Sequence, residues 1–236
     1  MKFEDIIKKI SSIAAAFFIF VLAAGMYLSM KGFGFVNGNL VLIKNAEAAQ
    51  SSSAAALNPN IVIPGGRSLG NRNAPVVIYE YSSLGCFHCA DFHLKTLPEI
   101  KKEYIDSGKV RVVFSNFPLD QRSLKAAMLA SCMPDSKYFD FIGLLFKKQR
   151  EWGLSLNPEK TLAKLAALEG MDKDRAYACM KDSAKAQEIV DRRQQAMKTI
   201  NIEGTPTFVV ANRNSREVLY GAVDFQEIKP VIEKKL

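Results

Sequence analysis

A short apolar run, VVIYEY (Val76–Tyr81), stands just ahead of Cys86-Phe-His-Cys89, and the order of these two pieces constrains the fold more than any other feature of the chain. The run is β-branched and aromatic, the composition of a buried strand, and Gly85 breaks it before the first cysteine. From Cys86 the side chains Cys89, Phe92, Leu97, Ile100 and Tyr104 recur at helical intervals. The spacing therefore predicts a helix from the first cysteine to Asp106-Ser107-Gly108, kinked at Pro98. VRVVF (Val110–Phe114) supplies a second strand, and strand, helix and strand together predict a right-handed parallel β-α-β unit.

Downstream of Asn116-Phe-Pro118 the periodicity is helical throughout. Helices are expected at Arg122–Cys132, Lys137–Arg150, Pro158–Glu169, Asp172–Lys181 and Ala184–Ile200. TFVV (Thr207–Val210) and VLY (Val218–Tyr220) then flank the turn Asn212-Arg-Asn, and Phe225–Lys235 reads as a closing helix. Strand character returning after an all-α block implies one α/β domain (73–236) with a helical insertion at about 119–200, rather than two domains in series.

The N-terminus reads differently. Lys2, Lys8 and Lys9 precede an uncharged 20-residue run, Ser11–Met30, which fits both a secretory signal and a membrane anchor. Ala46-Glu-Ala48 offers a small-residue cleavage site. Residues 1–48 are thus expected to be a signal or anchor, leaving everything after Gln50 exported to the non-cytoplasmic side, with or without a retained tether. Residues 49–72 have the small, polar composition of a flexible linker.

The formal net charge is +8, and without residues 1–48, with their five lysines and three acids, it is +6. No arginine cluster or aromatic-spaced basic stripe accompanies that surplus, which argues against a nucleic-acid partner. All four cysteines lie in the part expected to be exported, where disulfides persist. Cys132 and Cys179 either bridge two helices of the insert or remain as buried thiols, and an oxidising compartment favours the bridge. The bridge would close a loop of about 48 residues and restrict the unfolded chain by roughly 4 kcal/mol.

A cysteine in the first turn of a helix holds its sulfur among unpaired backbone N–H groups, where the thiolate is favoured. Cys89, one turn further in, is expected to be more shielded, so the pair is an attacking sulfur and a resolving one. His88 between them would add to the stabilisation of the Cys86 anion. Each pKa unit taken from Cys86 favours the reduced form by about 1.4 kcal/mol and raises the reduction potential by about 30 mV. A zinc site built from Cys86, Cys89 and His93 lacks a fourth ligand at finger-like spacing, so no metal or organic cofactor is expected. His93 is expected to be a partly exposed helix residue.

Strand VVIYEY, Cys86-Phe-His-Cys89, Asn116-Phe-Pro118, an all-α insert and Gly204-Thr-Pro-Thr207 together resemble the DsbA family of periplasmic thiol-disulfide oxidoreductases, over about Asn73–Leu236. The resemblance implies a thioredoxin-like fold with an inserted helical domain. It makes Cys86 the nucleophile, Cys89 the resolving thiol, and Thr205-Pro206 a cis-proline loop against the Cys86 sulfur. It makes Glu80 a buried acid beneath the site, able to take a proton from Cys89. The implied partners are reduced or unfolded exported proteins and a quinone-linked membrane protein that reoxidises the pair. Two positions depart from the pattern. Phe87 replaces the proline of the best-known members, and Thr205 stands where strong oxidants often carry an aliphatic residue and isomerase-type relatives have Thr. A disulfide isomerase or reductase is therefore the alternative within the fold, and a non-catalytic or zinc-stabilised binding module the alternative outside it.

Overall fold

The strand predicted at Val76 forms as β4 (Val76–Ser82), the middle member of a five-stranded sheet whose order is β3 (Arg67–Leu69), β5 (Val110–Asn116), β4, β6 (Thr207–Ala211) and β7 (Arg216–Tyr220). The computed structural model describes residues 33–36, 39–42 and 66–236. The chain divides into the units Met1–Ala55 and Ala56–Leu236. In the first, β1 (Phe33–Val36) and β2 (Asn39–Leu42) pair antiparallel, Phe33 opposite Leu42. The expected signal or anchor, and the expected linker up to residue 65, otherwise lie outside the described residues.

β4 and β5 are parallel, as the intervening helix requires, and the other pairings are antiparallel. β3 is a departure, since residues 67–69 fall within the segment expected to be linker. They pair with β5, with Arg67 opposite Phe114. Three residues are too few to display an alternation, so their strand state comes from the edge they cap. Just before them, a Cβ on Gly66 would lie 1.7 Å from the Phe114 carbonyl oxygen, an approach open only to glycine.

The helix after the cysteines is interrupted. It runs as α1 (Phe87–Asp91), a π-helical segment (Phe92–Thr96), α2 (Leu97–Ile100) and a second π-helical segment (Lys101–Ile105). Pro98 enters at the start of α2, and the wide turn before it accommodates a ring that offers no N–H. The kink expected at Pro98 is thus met by a π segment. Leu97, Ile100 and Tyr104 pack with Val76, Ile78, Val112, Phe208, Ile228 and Ile232 in one core on this face of the sheet. The last two belong to α9 (Phe225–Glu233), which is capped by Asp224 in a capping box with Glu227.

The block between β5 and β6 consists of α3 (Gln121–Ser131), α4 (Asp135–Lys147), α5 (Gln149–Gly153), α6 (Pro158–Leu168), α7 (Lys173–Lys181) and α8 (Ser183–Ile200). Asp120, Asn157, Asp172 and Asp182 each accept an N–H of the first turn they precede, which is why the helices start where they do. α8 ends on Asn201 in the left-handed region (φ 56°), a conformation that Asn tolerates. Its Ala196 and Ile200 cover the second face of the sheet with Tyr81, Phe117 and Val209. The helix expected over Lys137–Arg150 instead breaks at Lys148 (φ −101°, ψ 16°), and α5 begins one residue later. Cys132, which follows α3, and Cys179, on α7, are joined as a disulfide with Cα atoms 6.3 Å apart.

Candidate active site

Leu84, Cys89 and Ala90 lie in the hydrophobic core that the inserted helices form around Phe141, Leu145, Trp152 and Leu162, and Cys86 packs against it. The cysteine turn is therefore seated between sheet and insert. The Cys86 N–H bonds the Ser83 carbonyl at 3.0 Å, and the Ala90 N–H bonds the Cys86 carbonyl at 3.1 Å, opening α1. A Cβ on Gly85 would come within 3.3 Å of the Ser123 Cβ at the start of α3, so the turn and the insert touch there. On the other flank Gln149 is buried, and its Nε2 donates to the Leu84 carbonyl at 2.7 Å and the Cys86 carbonyl at 2.9 Å.

Both cysteines are free, Cys86 partly exposed and Cys89 fully buried. Cys86 occupies the N-cap of α1, and its thiol is pulled down from 9.0 to about 5. The largest cause is the Cys89 thiol, which donates to it. The Thr205 hydroxyl and the backbone N–H groups of Cys89 and His88 add to this, against an opposing contribution from burial. Cys89 moves the other way, far above the ordinary thiol range, through burial and through the Cys86 sulfur beside it. His88 reaches the anion by its backbone N–H, and its side chain is exposed beside the pair. The Phe87 ring is 56% exposed, with the Arg150 guanidinium 5.8 Å from its centroid.

The Thr205–Pro206 bond is cis, and the Cys86 thiol donates to the Thr205 carbonyl at 3.4 Å. Gly221 N–H holds the Pro206 carbonyl at 2.9 Å, and the Thr207 hydroxyl holds that of Gly204 at 2.8 Å, so the loop is fixed on both sides.

Glu80 sits on β4 between Phe114 and Phe208 of the neighbouring strands, with no exposed surface and neither carboxylate oxygen hydrogen-bonded. Burial pushes it up to about 8, opposed by the Ser82 hydroxyl, so near neutral pH the acid largely retains its proton. The same Ser82 hydroxyl bears on Cys89. Ser82, itself buried, is a residue that the sequence pattern did not single out.

His93 corrects an expectation. It is 7% exposed rather than partly exposed, its ring 4.9 Å from that of Phe146 on α4 and edge-on to Phe114 at 6.1 Å. Burial lowers it to about 4, so it is neutral near pH 7. Asp91 is exposed in an ion pair with Lys95 at 2.6 Å. Among the described residues no group of three or more His, Cys, Asp or Glu side chains is arranged to hold a metal ion.

The Thioredoxin family model matches residues 63–234. Disulfide bond formation protein D of Bacillus subtilis is 32% identical over 207 residues, covering 81% of this chain and 86% of that protein. A relative from Rickettsia bellii is 27% identical over 168 residues, and the chain spans 65% of its length and about half that of several other Rickettsia relatives. Among solved structures, alpha-DsbA1 of Wolbachia pipientis is similar with a TM-score of 0.68 and 33% identity, over 74% of this chain and 92% of that one. Oxidised BdbD of Bacillus subtilis has a TM-score of 0.66 and 26% identity, over 76% and 97%.

Proposed function

The chain belongs to the thioredoxin family, among its DsbA-like proteins with a helical insertion, and on that premise we propose that it is a thiol-disulfide oxidoreductase that introduces disulfide bonds into exported proteins. The observation that carries the proposal is the asymmetry of the pair. One sulfur is partly exposed at a helix N-terminus with its thiol pulled down to about 5, and the other is fully buried with its thiol pushed up.

In the oxidised enzyme a substrate thiolate attacks the Cys86 sulfur, the Cys86–Cys89 bond breaks, and Cys89 leaves with the electron pair as a mixed disulfide forms through Cys86. Cys89 then takes up a proton, and Glu80, protonated near neutral pH and fully buried, is the acid we assign to supply or recover it. A second substrate thiolate attacks the substrate sulfur of the mixed disulfide and Cys86 departs as thiolate. The substrate gains one disulfide and the enzyme is left with a dithiol. The stability of that leaving group makes the enzyme an oxidant.

The reduced enzyme needs an electron acceptor, and a quinone-linked membrane protein fits that need. The lysine-flanked apolar segment of residues 1–48 supports export to the periplasm, with or without a retained anchor. Among the described residues no helix is long and apolar enough to cross a membrane.

A reduced two-cysteine peptide mixed with the oxidised protein should be oxidised one for one, and Cys86→Ser should abolish the exchange. The reactivity of the reduced protein toward iodoacetamide should rise with pH to a plateau just above a midpoint near 5. A Cys86→Ser protein that still acts on its targets would point to a binding module. Thr205 ahead of Pro206 favours isomerase or reductase use of the same site. Rescue of scrambled disulfides, together with a Cys86 midpoint near 9.0, would select that alternative.

A further inference from the structure

We infer that Gln149 is a positioning residue through which the helical insert sets the acidity of Cys86, and with it the oxidising strength of the pair; the inference rests on the function proposed above. Gln149 lies one residue past the break at Lys148, at the head of α5, and is 5% exposed. Its two amide protons go to the carbonyls on either side of Gly85: Leu84 at 2.7 Å and Cys86 at 2.9 Å. Two carbonyl acceptors fix which end of the amide faces the turn, since only the NH₂ can serve both. The Oε1 of the same amide is buried with no hydrogen-bond partner, so the side chain is oriented for the turn at a cost to its own oxygen.

The bond to Cys86 does more than fill space. The Cys86 carbonyl also accepts the Ala90 N–H at 3.1 Å, so it is gripped from inside the helix and from the insert. Its peptide plane leads into the first turn, whose His88 and Cys89 N–H groups converge on the Cys86 sulfur. Charge-assisted bonds of this kind are sensitive to direction, and a first turn free to tilt aims them less well. Gln149 is itself well anchored. Trp152 of the same short helix is fully buried and donates to the Leu145 carbonyl at 2.9 Å, and the neighbouring Arg150 lies over the Phe87 ring.

Two variants test this. Gln149→Met keeps the length and loses both donors. Gln149→Asn keeps an amide but is one methylene shorter, and reaches one carbonyl at most. In the reduced, full-length protein, thiolate absorbance near 240 nm is titrated against a Cys86→Ser control, and the dithiol is equilibrated with glutathione. Gln149→Met should raise the Cys86 midpoint by about one unit, a tenfold loss of thiolate relative to thiol at fixed low pH. Near pH 7 the glutathione equilibrium should move about tenfold toward oxidised protein. Gln149→Asn should fall between Met and the natural residue, and it carries the test if the Met variant does not fold. Variants that melt earlier but titrate and equilibrate like the unmodified protein would overturn the inference. An unmodified protein with no thiolate transition, or no exchange with glutathione, would instead overturn the proposed function.

Discussion

Replacing Glu80 by Gln should shift the stability of the reduced protein progressively in favour of the variant as pH rises. Glu80 is fully buried, and burial lifts its carboxyl from 4.5 to about 8. Between those two values the unfolded chain has released the proton while the folded chain still holds it. Stability therefore falls as pH rises through that window and levels off above about 8, opposite to the behaviour of a salt-bridged carboxylate. At about 1.4 kcal/mol per pKa unit the group costs about 3 kcal/mol at pH 7 and approaches 5 kcal/mol above pH 8. Gln has nearly the same shape and does not ionise. Its buried amide carries its own penalty of about 1 to 3 kcal/mol, but that penalty is independent of pH. The diagnostic is accordingly a slope. Urea unfolding of both proteins under reducing conditions, at intervals from pH 5 to pH 8, gives a stability difference in which the titration of Cys86 appears on both sides and cancels. The difference should climb in favour of Glu80→Gln by about 1.4 kcal/mol per pH unit between pH 5 and 7, then flatten. A difference constant across the range would refute the assignment of a proton to this carboxyl.

His93 should produce the opposite slope at acid pH. Its folded value of about 4 lies below the 6.5 of the unfolded side chain, so the unfolded state binds the extra proton and about 3 kcal/mol is lost as pH falls from 6.5 toward 4. His93→Phe, which keeps the ring among Phe114 and Phe146, should remove that loss, as acid-unfolding curves would show. Removing the Cys132–Cys179 disulfide with paired alanine substitutions should cost about 4 kcal/mol in urea unfolding through the freed loop. Stoichiometric peptide oxidation at Cys86 should survive that change, and its loss would mean that the insert disulfide takes part in exchange.

Much of the fold is legible along the chain because its signals are local. Helix starts follow from Asp120, Asn157, Asp172, Asp182 and Asp224, each satisfying N–H groups within three residues of itself. The parallel β4–β5 pair follows from a helix of fixed length between two apolar runs. The nucleophilic character of Cys86 is legible for the same reason, since the His88 and Cys89 N–H groups that favour its anion are its own neighbours in sequence.

Other features depend on what lies across the fold, and no periodicity reports that. His93 reads as a partly exposed helix residue until Phe146, from a helix some fifty positions later, closes over it. Arg67–Leu69 is too short to signal a strand and becomes one only against the open edge of β5. The break at Lys148 falls inside a stretch with good helical spacing, yet it is what turns Gln149 toward the carbonyls of Leu84 and Cys86. Sequence by itself determined the order of the elements and the identity of the reactive sulfur, because capping and amphipathic spacing act over one or two turns. The burial of Glu80 was already implied by the family resemblance, but the tertiary structure alone decided that His93 and Gln149 lie in the dark. Removal from water is a property of the atoms that surround a group, and those atoms come from distant parts of the chain.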